Sequence, residues 1–227
     1  AMAKQAATLN TNTRYLHEEA REHLPALLDR LAIPRAHLFG HSDGATIALL
    51  FAATHPDLIL SVDTWRSEVA RACAEVGVDL VNDTWAGADP RLLEVAAEVG
   101  AGYVVSHAGG LPPRTDPVDV TYGPDPDDVV ADVLATLRAG AARAVEAGVP
   151  ASRVLVDPTL DFGKTTRHSL RLVRATAQLA SLGFPVLQAI SRKDFVGETL
   201  DLPPEERLEG SLAATAIAAW LGATVFR

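Results

Sequence analysis

Apolar residues fall into short runs separated by longer amphipathic stretches, and from residue 37 onward the alternation is nearly regular. The runs stand at His37–Gly40, Leu58–Val62, Val78–Asn82, Gly102–Ser106, Val154–Val156, Pro185–Ala189 and Ala223–Phe226. They lack in/out alternation, which predicts strands buried on both faces, as in a parallel sheet. The stretches Tyr15–Leu31, Arg66–Val76, Asp89–Val99, Val129–Ala147, Arg167–Leu182 and Glu205–Leu221 carry the helical spacing. Gly77, Gly100, Gly148, Gly183 and Gly222 follow five of the helical stretches, where a left-handed residue stops a helix before the next strand. The pattern predicts an α/β fold of (β/α)8 TIM-barrel type. Seven strands are one short of a closed barrel, so an incomplete barrel or a replaced N-terminal quarter is expected. Leu111–Asp128, rich in Pro and Asp, is the longest irregular segment and is expected to be a mobile loop over the site.

Composition narrows the field. The chain has 227 residues, 48% hydrophobic and 22% charged, which is ordinary for a soluble globular domain. A formal charge of −9 argues against nucleic acid as a partner, since phosphate-backbone affinity rests on clustered Lys and Arg. No run of about 18 apolar residues points to a membrane span, and the N-terminus lacks a signal-peptide pattern. Cys73, the single cysteine, can form no internal disulfide, which fits a reduced, cytoplasmic setting. His17 and His23 show no metal-ligand spacing. Tyr15, Tyr103, Trp65, Trp85 and Trp220 are scattered, as packing residues are.

Polar residues cluster where the predicted strands end. Asp63, Asn82, His107, Asp157 and Lys193 close five of them. In a parallel barrel those ends share one face, so the five side chains are expected on one rim. A single strand-end Asp is as readily an N-cap for the next helix. Together, carboxylates, an amide and an ammonium suit the edge of a flat, amide-rich heterocycle. Such a rim would reject analogues that leave its polar atoms unpaired.

These residues also carry a family resemblance. Ser61–Thr64, Asn82-Asp83, Asp157-Pro158 with Phe162-Gly163-Lys164, Ser191-Arg192-Lys193 and Gly210–Ala213 are similar in order and spacing to dihydropteroate synthase. The resemblance covers about residues 59–227. It implies an enzyme of folate biosynthesis that joins 6-hydroxymethyl-7,8-dihydropterin diphosphate to p-aminobenzoate and releases diphosphate with Mg²⁺ assistance. Carried over by position, Asp63, Asn82, Asp157 and Lys193 resemble the pterin contacts. Phe162 resembles the wall beside the aminobenzoate, and Arg227 the arginine of the last strand's anion pocket. The family also commonly forms homodimers through C-terminal helices.

The sequence departs from that family in places. Its Asn-Val-Thr-Pro-type loop, which supplies metal and diphosphate contacts, and its Asp-Val-Gly-Gly-type strand end are not recognisable here. Asp161 stands at a usual Gly, and Asp194 follows Lys193 near the expected aminobenzoate carboxylate. Two carboxylates about 5 Å apart repel by roughly 3 kcal/mol at an effective dielectric of about 20. Alternatively, Asp194 caps the next helix and points away. The pattern resembles a divergent subgroup in which synthase activity is in question, which implies a non-catalytic pterin-binding homologue as the alternative.

Residues 1–58 read differently from 59–227. His37–Gly44 followed by Ala45–His55 resembles the strand, Gly-x-Ser-x-Gly turn and helix of an α/β-hydrolase nucleophile elbow. That resemblance would make Ser42 a nucleophile and the protein a serine hydrolase, but no oxyanion strand, acid loop or histidine loop accompanies it. The expectation is a helix–strand–helix segment packed as part of the barrel. It would leave one strand position empty and an edge unpaired.

Overall fold

A computed structural model describes residues 37–40, 59–75, 77–115 and 120–227. The Tyr15–Leu31 stretch, His17, His23 and the elbow residue Ser42 lie outside the described residues. Strands β1 (His37–Gly40), β2 (Ile59–Asp63), β3 (Leu80–Asn82), β4 (Gly102–Ser106) and β5 (Val154–Asp157) form one parallel sheet in sequence order. Strands β6 (Leu187–Gln188) and β7 (Val225–Phe226) form a parallel pair, and a Val156–Val186 bridge joins it to β5. All seven expected strands are therefore present among the described residues, and they follow one another as the staves of a (β/α) barrel. β1 pairs with β2 in the register His37 to Ile59, so this N-terminal strand adds to the same sheet.

The helices follow the strands they were expected to follow. α1 (Ser67–Ala74) comes after β2, α2 (Arg91–Glu98) after β3 and α3 (Asp128–Glu146) after β4. In α3, Val129, Val133, Leu137, Gly140 and Ala144 are buried, the three- and four-residue spacing of a single helical stripe. Gly148 and Gly222 adopt φ +107 at helix ends, where a Cβ would be strained.

Two differences from the expected elements have local causes. The single helix expected at Arg167–Leu182 is split into α4 (Thr166–Arg174) and α5 (Thr176–Ala180). Thr176 Oγ1 donates back to Val173 O at 2.7 Å while accepting from Gln188 Nε2 at 3.1 Å, and such back-bonding bends a helix. The second is α6 (Asp194–Leu200), a two-turn helix between β6 and α7 (Leu208–Trp220). It is too short to show a period in the sequence.

Two apolar clusters lie on opposite faces of the sheet. The larger joins helices to strands through residues such as Leu92, Leu137, Leu172 and Leu179, all fully buried. Each such side chain contributes roughly 2 kcal/mol. The smaller, Leu80, Val104, Leu187 and Ala189 with Leu155 and Val225 against them, fills the barrel interior. Two residues further along these strands, on the same interior face, stand Asn82, Asp157 and Arg227. The register sets Asp63 beside Asn82. Strand alternation thus turns an apolar interior into a polar mouth within one step of the pleat.

The outer surface of α7 is the exception to the burial pattern. Only Ser211 and Ala218 of this helix are buried, while Leu208, Leu212, Ile217 and Trp220 are exposed. Trp220, expected to pack, is 89% exposed.

Candidate functional site

The mouth is built around Asp63. Its Oδ1 accepts from Thr84 Oγ1 at 2.7 Å, and its Oδ2 accepts from Asn82 Nδ2 at 3.3 Å and from Arg227 Nη1. That one carboxylate ties the ends of β2, β3 and β7. Asn82 is almost wholly buried, yet its Oδ1 has no hydrogen-bond partner. An orphaned buried carbonyl costs about 1–3 kcal/mol, so its retention calls for an explanation.

Asp157, 4% exposed, accepts from Thr159 N–H at 2.7 Å. Burial pushes its carboxyl up, and the Thr159 bond and the charges of Lys193, Arg227 and Lys164 oppose this. Lys193 sits just before α6, donates to Leu160 O at 2.9 Å and lies 4.6 Å from the Phe162 ring centroid. Burial lowers its ammonium, while Asp161 and Asp157 raise it. Trp85 meets Phe162 edge-on with 5.3 Å between centroids. These two rings, with Arg114, Asp161, Ser191 and Lys193, line a cleft of about 400 Å³ beside the mouth. The six expected site residues therefore form two linked groups: Asp63, Asn82 and Arg227, and Asp157, Lys193 and Phe162.

His107 does not join them, contrary to the expected rim. It is 2% exposed, with Nε2 2.7 Å from Asp132 Oδ2 and Nδ1 3.0 Å from Lys164 Nζ. It follows the last residue of β4, and the alternation that aims Asp157 inward sends it outward. Lys164 also donates to the carbonyls of His107, Thr159 and Phe162 at 2.7, 3.1 and 2.7 Å. Burial brings its ammonium down to about 7. This lysine fastens the loop after β4 to the loop after β5, and Tyr122 adds a bond to Gly163 O. Gly163 has φ +59, and a Cβ there would lie 2.6 Å from Ala108 O.

Asp194 is answered by Arg207, whose Nη1 lies 2.8 Å from Asp194 Oδ1. The same guanidinium donates to the carbonyls of Arg192, Lys193 and Leu202. That partner offsets the repulsion expected between Asp194 and an anionic ligand. Among the described residues, no group of three His, Cys, Asp or Glu could hold a metal.

The profile of the family described as pterin binding enzyme matches residues 46–227. The chain belongs to that family. It is 56% identical over 175 residues to inactive dihydropteroate synthase 2 of Mycobacterium leprae, covering 77% of this chain and 60% of that protein. It is 37% identical over 168 residues to the dihydropteroate synthase of Escherichia coli, covering 74% and 58%. The chain thus spans about three-fifths of the length of these curated relatives. Among solved structures, Thermus thermophilus dihydropteroate synthase in complex with 6HMPPP superposes with TM-score 0.79 at 32% identity, covering 92% of this chain and 82% of that one. The pterin-binding fold is therefore the TIM-barrel type that the strand–helix alternation predicts.

Order and spacing pointed to Asp63, Asn82, Asp157 and Lys193, whereas Trp85, Arg114 and the Lys164–His107–Asp132 network became visible only in three dimensions. The pair Asp157 and Lys164, seven residues apart around a Thr-Leu-Asp-Phe-Gly turn, was the available signal for the network.

Burial and the facing Lys164 charge lower the His107 imidazole to about 4. The unfolded imidazole takes up a proton below about pH 6.5, but the folded one resists until about pH 4. Stability carried by neutral His107 is therefore present above pH 6.5 and is lost as pH falls towards 4. Chemical denaturation of wild type should show about 3 kcal/mol more loss across this window than His107→Gln. Parallel pH profiles would contradict the assignment.

Proposed function

We propose that this chain is a dihydropteroate-synthase-like protein of folate biosynthesis whose strand-end rim binds a pterin. The observation that carries the reading is the orphaned Asn82 Oδ1 at a mouth that also holds Asp63, Asp157 and Arg227. A pterin edge offers N–H donors to the carboxylates and the orphaned carbonyl, and its ring carbonyl and nitrogen take a proton donor from Lys193. In the family reaction, p-aminobenzoate attacks the pterin methyl carbon as diphosphate departs. The residues here would hold the pterin plane, with Phe162 and Trp85 walling the second reactant. Mg²⁺ would assist diphosphate departure in an active member; the described residues contain no cluster of three His, Cys, Asp or Glu that could hold a metal.

A pterin-binding protein without synthase turnover is the second reading. It is favoured by a relative named inactive dihydropteroate synthase 2 at 56% identity. Residues 1–58 are proposed to complete the barrel wall, which is supported by the pairing of β1 with β2. A cytoplasmic location is supported by the free, buried thiol of Cys73. No described helix is long and apolar enough to cross a membrane.

Isothermal titration with 6-hydroxymethyl-7,8-dihydropterin diphosphate tests the rim. Lys193→Ala should weaken binding on the order of 100-fold, as expected for loss of a buried charged contact. Asn82→Leu should weaken it about tenfold, since it removes the orphaned carbonyl that takes a pterin donor. Heat from wild type that neither variant changes would put the pterin elsewhere. Adding p-aminobenzoate and measuring dihydropteroate separates synthase from binder.

A homodimer is also proposed, supported by the exposed large apolar side chains Leu208, Leu212, Ile217 and Trp220 on α7. Sedimentation should give a dimer for wild type and a monomer for Leu212→Glu. A wild-type monomer at all concentrations would contradict it.

A further inference from the structure

Asp161 stands in the turn between β5 and α4 at φ +69, a conformation that a residue with a Cβ adopts against steric resistance. Its side chain is held from two directions. Oδ1 accepts from Ser169 Oγ at 3.0 Å, and Oδ2 accepts from the Phe195 N–H at 3.3 Å. Ser169 belongs to α4, whereas Asp194 and Phe195 open α6. The carboxylate therefore clamps one helix to the start of another. The residue immediately before that start is Lys193.

The charges around Lys193 make the clamp electrostatic as well as geometric. Asp161, Asp157, Asp194 and Arg227 all act on its ammonium, and Asp161 has the largest effect of the four. Asp194 is paired with Arg207, and Asp157 also faces Arg227 and Lys164. Asp161 also faces Lys164 but forms no ion pair with another cation. It also lines the same cleft as Lys193, Phe162 and Trp85.

We propose that Asp161 is a positioning residue that fixes the α6 turn carrying Lys193 and supplies a compensating negative charge to that side of the cleft. A glycine at 161 would remove the backbone strain but also both halves of the clamp. The effect on ligand affinity rests on Lys193 being a pterin contact; the effect on Lys193 itself does not.

The chain contains three lysines, Lys4, Lys164 and Lys193, so selective ¹³Cε-lysine labelling gives a readable spectrum. Lys164→Arg and Lys193→Arg assign the resonances. In Asp161→Asn, which keeps an acceptor but loses the charge, the Lys193 titration midpoint should fall by about one pH unit. Asp161→Glu, which keeps the charge, should hold the midpoint near the wild-type value and also serves if the Asn variant does not fold. If Glu shifts the midpoint as far as Asn does, charge is not the cause and the proposal is overturned. An unchanged midpoint in folded Asp161→Asn overturns it equally. The affinity for the pterin diphosphate should fall about tenfold in Asp161→Asn. A lowered midpoint with unaltered affinity upholds the clamp and instead removes Lys193 from the pterin site.

Discussion

The architecture depends on how one buried carboxylate is tolerated. Asp157 ends β5 facing the barrel interior, with Thr159 N–H as its hydrogen-bond donor. An isolated charge at that depth would cost several kcal/mol. Basic groups from three segments oppose that cost without pairing directly with it: Lys164 in the loop after β5, Lys193 before α6 and Arg227 after β7. Each is committed in turn to a second group. Arg227 reaches Asp63, Lys193 reaches Leu160 O, and Lys164 gathers three carbonyls. These contacts tie the strand ends at the mouth to the loops that wall the adjoining cleft.

This arrangement divides the lysines by task. Lys164 is enclosed by acceptors and by the His107 ring, so its donors are spent on holding loops together. Lys193 has one carbonyl partner and an aromatic face, which leaves donors for a ligand. The same contrast separates the acids. Asp83 is consumed by Tyr103 Oη, Trp85 N–H and Gly87 N–H, while neighbouring Asn82 keeps a free acceptor. Asn82 ends β3 facing inward and Asp83 follows it on the opposite side, so only Asn82 keeps an acceptor for binding.

Much of this was legible in the sequence because the strands are short, apolar and bounded by helix stops. Asp63, Asn82 and Asp157 could be assigned to one rim from strand ends alone. His107 could not, because the register that sets Ser106 beside Asp157 turns the next residue to the opposite face, and that register is not readable from the sequence. Asp194 misled for a related reason: its partner Arg207 is 13 residues away, across a helix too short to show a period. Asp161 stood out only as an unusual residue at a glycine-like position, and its bonds to Ser169 and Phe195 supply the physical reason that it can stay there.

The most direct measurement is a crystal structure of the chain with bound 6-hydroxymethylpterin. The account predicts the heterocycle in the barrel mouth, with a ring donor within about 3 Å of Asn82 Oδ1 and a second on Asp157. A pterin bound instead in the cavity between α2 and α3, which is lined by Asp83, Tyr103 and Arg143, with Asn82 Oδ1 still unpaired, would contradict it.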